Sequence, residues 1–276
     1  MSLYVSSIAV YPVKSLAPTY PREAFLAATG FLHDRAWMVV NEQGWFLTQR
    51  QYPEMALITA EVVEASTLRL TVPGQRSLDV PVVDKPAPGN RALTVQVWND
   101  RCEAVDQGEV AAELLGDYLG VRCRLVRMAG DFRRELGSSY PATPGITVGF
   151  ADSSPLMLAS ERSLDELNGR LEEPVRMDRF RPNIVVSGGS AYQEDRWSRI
   201  RIGDVTMRLA KDCIRCQIIN VDQQTGQRGI EPLETLGAYR SGPRGPRFGR
   251  KVVHENTGSI RVGDPVEVLE VADPDA

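Results

Sequence analysis

The chain has 276 residues, enough for about two domains and for a real core without disulfide or metal staples. Its 32 basic and 36 acidic residues leave a net charge of −4, which argues against a protein that coats nucleic acid. Two histidines, His33 and His254, nearly exclude His-rich metal sites, and four cysteines, Cys102, Cys123, Cys213 and Cys216, are too few for a disulfide scaffold.

The first half reads as short strands. Residues 35–40 (RAWMVV) and 45–49 (WFLTQ) flank the turn 41–44, which contains Gly44, a hairpin signature. Residues 56–63 and 68–72 flank 64–67 in the same way, and 93–98 and 102–105 flank Asn99-Asp100. In LTVQV the Thr and Gln alternate with apolar residues, as a half-buried strand requires. A helix follows over 109–119 (EVAAELLGDYL), with Gly120 placed to end it. The polar run 130–144 (GDFRRELGSSYPATP) reads as an exposed loop, and the domain boundary is expected near 125–145.

The second half mixes types. Residues 161–171 read as a helix with Ser160 as N-cap, and 183–187 as a buried strand. Residues 199–202 and 205–209 are joined by Gly203-Asp204, a tight turn. Residues 217–221 read as a strand, 232–239 as a short helix with Pro in its first turn, and 240–251 (RSGPRGPRFGRK) as a Gly/Pro-rich basic loop. Strands at 261–262 and 266–269 surround Gly263-Asp264; the IRIGDV and IRVGDP segments are two similar strand turns, not a repeat. About a dozen strands and three helices without a βαβ rhythm point to barrels or antiparallel sheets with a few helices attached, by roughly the layer rules for such folds. No Rossmann or P-loop glycine pattern is present. Neither a signal peptide nor an 18-residue apolar run is visible, so a cytoplasmic protein with no membrane span is expected.

The sharpest chemical feature is the run Lys211-Asp212-Cys213-Ile214-Arg215-Cys216 between two expected strands. Neighbouring Lys211 and Arg215 favour the thiolate, the form that binds metal. Four readings compete: structural zinc, which lacks a second cysteine pair; a thioredoxin-type dithiol, which lacks its βαβ setting; two small buried cysteines; and a single thiolate ligand to a soft-loving metal carried on a cofactor. Tyr11-Pro12-Val13-Lys14-Ser15 and Asp34-Arg35 supply residue types that grip phosphate, and a solvated surface lysine is the plainer alternative. Arg181, in Phe180-Arg181-Pro182-Asn183, opens a buried strand and needs an acid or a bound anion. The basic run 240–251 could close over an anion, and binding of nucleic acid is not favoured by the acidic whole.

Together these segments resemble the MOSC family, over nearly the whole chain. The motifs are YPVKS (11–15), HDRAWMVV (33–40), FRPNIVVSG (180–188), CIRCQIINVDQQTG (213–226), EPLETLGAYR (231–240) and FGRKVVHENTGSIRVGD (248–264), in shared order and spacing. Within the family the chain is similar to members with an N-terminal MOSC-type β-barrel domain, among them amidoxime-reducing components and bacterial proteins that protect against N-hydroxylated bases. The resemblance implies a strand-dominated α+β fold, with an N-terminal MOSC-type β-barrel domain over 1–125 and a β-barrel-like MOSC domain over 126–276. The first ~35 residues would pack with the second domain, since residues from both must meet.

The resemblance further implies a molybdenum cofactor (Mo-molybdopterin) whose metal is held by Cys216, with Cys213 a neighbour of open role. Lys14, Ser15 and Arg35 would hold the pterin phosphate, Arg181 and Asn183 would lie along the pterin, and Arg215 would sit near the metal. Asp152 and Ser154 match a DxSP segment lining the site, with Asp152 close to the metal. Lys251 departs from the family pattern and receives no role. The implied activity is two-electron reduction of small N-hydroxylated substrates, the oxygen leaving as water, with the protein supplying orientation and electrostatics. A cofactor or sulfur carrier without turnover is the alternative. No iron–sulfur domain and no membrane anchor is seen, so electrons are expected from a separate flavoprotein reductase or small iron–sulfur or haem protein, for which the 240–251 run could be an acidic partner's dock.

Overall fold

Alternating apolar and polar residues build most of this protein, because one face of each strand must be buried. The computed structural model describes residues 2–136 and 145–272. The largest sheet has eight strands. Its order runs Tyr4–Ile8, Ile184–Ser187, Leu156–Ser160, Gly245–His254, Val205–Ile214, Trp197–Ile202 and Val266–Val271, with Ser241–Gly242 hydrogen-bonded to Gly245–His254. Pairing is antiparallel except between Leu156–Ser160 and Ile184–Ser187. A four-stranded sheet orders Trp37–Asn41, Cys123–Met128, Asp100–Asp106 and Ala92–Val97, and a meander joins Thr59–Val63, Thr67–Thr71 and Leu78–Pro81. Gly258–Arg261, Glu23–Ala27 and Gly30–Phe31 form a further three-stranded sheet. The strand-dominated α+β architecture is as expected. No helix among the described residues is long and apolar enough to cross a membrane.

Two main cores result. One gathers Ile8, Leu26, Phe31, Leu158, Ile184, Ile200, Met207 and Val252. The other gathers Val13, Leu16, Trp37, Val39, Met55, Ile58, Leu70, Leu115 and Leu125. The N-terminal segment passes from the first core to the second between Val10 and Val13. Lys14 and Ser15 follow at once, so they sit at the seam between the cores. A smaller cluster including Met157, Phe180, Ile219, Leu236 and Phe248 lies under the same seam, with the rings of Phe180 and Phe248 stacked at 4.0 Å.

The Glu109–Leu119 helix and its left-handed Gly120 cap match the sequence reading. Other elements differ from it. The second helix is Glu161–Asn168, three residues shorter than read, and the Ser160 side chain makes no cap bond. Residues 217–220 form a 3-10 turn rather than a strand, because the chain turns there immediately after Cys216. The run read as a basic loop is mostly strand: Ser241–Gly242 and Gly245–His254 make a hairpin in the large sheet. Gly249, at φ 75°, lets that strand pass close to its neighbour; a Cβ there would lie 2.7 Å from the Leu158 carbonyl oxygen. Part of the 130–144 run pairs as Arg134–Glu135 with Thr147–Val148, and 137–144 lies outside the described residues. The turn at Gly263 joins strands of different sheets, Gly258–Arg261 and Val266–Val271, and grips Val5 by two backbone bonds. Finally, the hairpin turn expected at Asn99-Asp100 falls one residue earlier, at Trp98-Asn99, since Val97 pairs with Asp100.

Candidate functional site

The seam positions a group of cations around Tyr11. Arg35 lies 4.0 Å from the Tyr11 ring centroid and Arg181 4.3 Å, so the ring spaces the two guanidiniums. The Tyr11 hydroxyl donates to the Pro182 carbonyl (3.1 Å), and burial raises its pKa, so it stays a donor. Arg35 Nη1 donates to the buried Asp34 carboxylate (2.5 Å) and to Asn183 Oδ1 (3.1 Å). Asn183 Nδ2 in turn donates to Asp34 Oδ1 and the Ala9 carbonyl, both 3.1 Å. Burial pushes the Asp34 carboxyl up, against the opposing pull of Arg35. Burial also brings the Arg181 guanidinium down to about 10. Ser15, Arg35 and Arg181 all have positive φ, at 68°, 48° and 54°. Non-glycine residues held there store strain, and such strain collects at functional sites.

Lys14 is buried at the same place, its ammonium donating to the Phe150 carbonyl (2.8 Å) and to the Asp152 carboxylate. Burial lowers its pKa, with Asp152 opposing. Asp152, whose side chain is 50% exposed, accepts a second bond from Trp98 Nε1 (3.0 Å). Desolvation works against its charge, but the Lys14 ammonium and the indole N–H together hold its carboxyl well below the usual range. Asp152 is therefore a permanent anion at neutral pH. Ser154 turns its hydroxyl to the Leu156 carbonyl (3.0 Å). Gly149 allows the close crossing that brings this segment to Arg35: a Cβ there would lie 2.6 Å from the Arg35 carbonyl oxygen.

The two cysteines have different settings. Cys213 lies within the Val205–Ile214 strand and accepts from Arg215 Nη1 (2.8 Å). Arg215 also donates to the Phe180 carbonyl (2.7 Å), while its buried Nε has no acceptor among the described residues. Cys216 lies just beyond the strand, and Arg50 Nη2 is 3.1 Å from its sulfur. Arg228 holds the Arg50 segment, donating to the carbonyls of Gln49 (3.2 Å) and Arg50 (2.5 Å). Among the described residues no cluster of three or more His, Cys, Asp or Glu side chains could hold a metal ion, so a zinc site built from protein ligands alone has no support.

A cleft of about 190 Å³ brings these residues together. Lys14, Ser15, Arg35, Asp152, Ser154, Arg181, Asn183, Arg215 and Cys216 all line it, as do Arg50, Cys213 and Lys251. Lys251 donates to Ser153 Oγ (2.6 Å), and burial lowers its pKa. Arg50 escaped the sequence reading: nothing local marks it, and only the tertiary fold brings it to Cys216. The lining holds six cations, Lys14, Arg35, Arg50, Arg181, Arg215 and Lys251, against one carboxylate, Asp152. In a chain of net charge −4 that local excess fits an anionic ligand, and a half-buried thiol at its edge fits a soft metal carried on it. A larger cleft of about 790 Å³, between residues 41–44 and the Glu109–Leu119 helix, has no such cluster.

Comparison with known proteins agrees with this picture. Residues 2–122 match the MOSC N-terminal beta barrel domain and residues 146–267 the MOSC domain. The chain is 37% identical to mitochondrial amidoxime-reducing component 1 of Mus musculus over 96% of this chain and 82% of that protein. The Homo sapiens protein of the same name is 35% identical, with the same coverage. The molybdenum cofactor sulfurase of Danio rerio is 35% identical over 92% of this chain and 32% of that protein.

Proposed function

Because the chain belongs to the MOSC family and shares its association with the molybdenum cofactor, we propose that it is a molybdenum-cofactor-dependent oxidoreductase that reduces small N-hydroxylated substrates, with Cys216 as the protein ligand to the metal. The observation that carries this reading is the meeting of Cys216 with a ring of cations in one cleft. Lys14, Ser15 and Arg35 would hold the phosphate of the pterin, with Asn183 fixing the Arg35 fork and Tyr11 setting its distance from Arg181. Arg215, which lines the cleft beside Cys213, would sit near the metal. When bound, the cofactor supplies the two-electron chemistry of N–O cleavage. Two protons must arrive with the two electrons to release water. Asp152, an anion at neutral pH, orients a proton-bearing group and does not donate one.

A separate flavoprotein reductase or small iron–sulfur or haem protein would return the electrons, and the cytoplasm is the proposed location. The test is the metal content of protein from a cofactor-replete host, desalted, for wild type, Cys216→Ser and Cys213→Ser, followed by amidoxime reduction with a reducing dye. Molybdenum near one per chain, lost only in Cys216→Ser, together with turnover, is the expected result. Metal that desalting removes from wild type, without turnover, would favour a carrier. Equal loss in both variants would refute the assignment of Cys216.

A further inference from the structure

Trp98 occupies a conformation that its residue type does not favour. It is the first residue of the two-residue turn between Ala92–Val97 and Asp100–Asp106, and its φ is 55°. Positive φ at that position calls for glycine, and in a bulky residue it is a strained outlier. Trp98 as a whole is also 43% exposed. A turn alone would be better served by Gly or Asn.

What the strain secures is a fixed aromatic face beside the cleft. Nε1 donates to Asp152 Oδ1 (3.0 Å), and the Arg50 guanidinium lies 5.0 Å from the ring centroid. Phe46 packs edge-on at 5.1 Å, and Gln96 Nε2 ties down the Trp98 carbonyl (2.8 Å). Asp152 and Arg50 line the cleft, and Arg50 also reaches the Cys216 sulfur. The indole therefore stands one guanidinium away from that sulfur.

We propose that Trp98 is a specificity-determining residue, offering its indole to the planar, uncharged part of an aryl or heteroaryl N-hydroxylated substrate. The proposal rests on the reductase reading above. An indole takes flat π-systems by offset stacking, whatever groups lie on their edges.

The experiment compares benzamidoxime with acetamidoxime, which share the reacting group and differ in the aryl ring. Binding to the molybdenum-loaded protein is read by calorimetry, and turnover with a reducing dye, for wild type, Trp98→Ala and Trp98→Phe. In Trp98→Ala the preference for benzamidoxime is expected to fall about tenfold. Trp98→Phe, which keeps a ring and loses the N–H, should retain most of it. An unchanged preference in Trp98→Ala overturns the proposal, and so does equal loss in Trp98→Phe, which would assign Trp98 to holding Asp152. If wild type binds with the preference but does not turn over, stacking is supported and the reductase reading falls.

Discussion

Replacing Glu194 by glutamine should make the protein's stability less dependent on pH, in a defined direction. Glu194 lies on the 3-10 turn Gln193–Arg196 and is fully buried. Its Oε1 accepts from Ser163 Oγ (2.6 Å), and its Oε2 has no partner among the described residues. Nearby, Asp195 is paired with Arg240 (2.7 Å), which in turn stacks on Tyr192. Burial is the main cause that pushes the Glu194 carboxyl from 4.5 up to about 7. Between those values the folded chain holds a proton that the unfolded chain has released, so stability falls as pH rises through that window. Weighting both states at pH 5 and pH 8 gives a loss of about 2.5 kcal/mol from this one group. The carboxamide of Glu194→Gln cannot ionise and keeps an acceptor for Ser163. Urea unfolding of both proteins at pH 5 and pH 8 measures the effect, and the constant cost of the substitution cancels between the two conditions. Relative to wild type the variant should gain about 2.5 kcal/mol on going to pH 8. A difference between the two proteins that is the same at both pH values would refute the reasoning.

Three further substitutions probe the seam. Gly149→Ala places a Cβ against the Arg35 carbonyl oxygen, where backbone must yield, and thermal melts should show a loss of about 1–3 kcal/mol. Asp34→Ala leaves Arg35 in a largely buried position without its carboxylate, and urea unfolding should register a loss of about 3–5 kcal/mol. Arg228→Ala removes the two bonds that hold the Gln49 and Arg50 carbonyls, so molybdenum measured after repeated desalting should fall below wild type, with a stability cost of only about 1–2 kcal/mol.

Much of the architecture was legible where local chemistry and tertiary demand agree. The Glu109–Leu119 helix combines helical apolar spacing with a glycine at its end, and nothing in the fold opposes either signal. Gly245–His254 went unread because its glycines and prolines mark turns locally, whereas here they sit in a hairpin whose pairing comes from distant strands. Residues 217–220 read as a strand because Ile218 and Ile219 are strand-forming, and the fold carries them into a tight turn instead. Asp152 and Ser154 came only with the resemblance, which joined the site, and the other members were visible as isolated motifs. Arg50, Trp98 and Arg228 were not, since an arginine or tryptophan in a short loop carries no local mark of what it will touch.

The pairing of Glu23–Ala27 with Gly258–Arg261 has a consequence for the order of events in synthesis. Arg261 and its partner Glu23 are 238 positions apart, and Tyr4 bridges to Pro265. At roughly 5–20 residues per second, the first strands wait on the order of ten seconds or longer for their partners to be made. Until then Lys14 and Ser15 have one wall of their cleft and lack the other, which Arg181, Cys213 and Cys216 supply. Anything that needs both walls can therefore be held only after the segment that carries Arg181, Cys213 and Cys216 has been made.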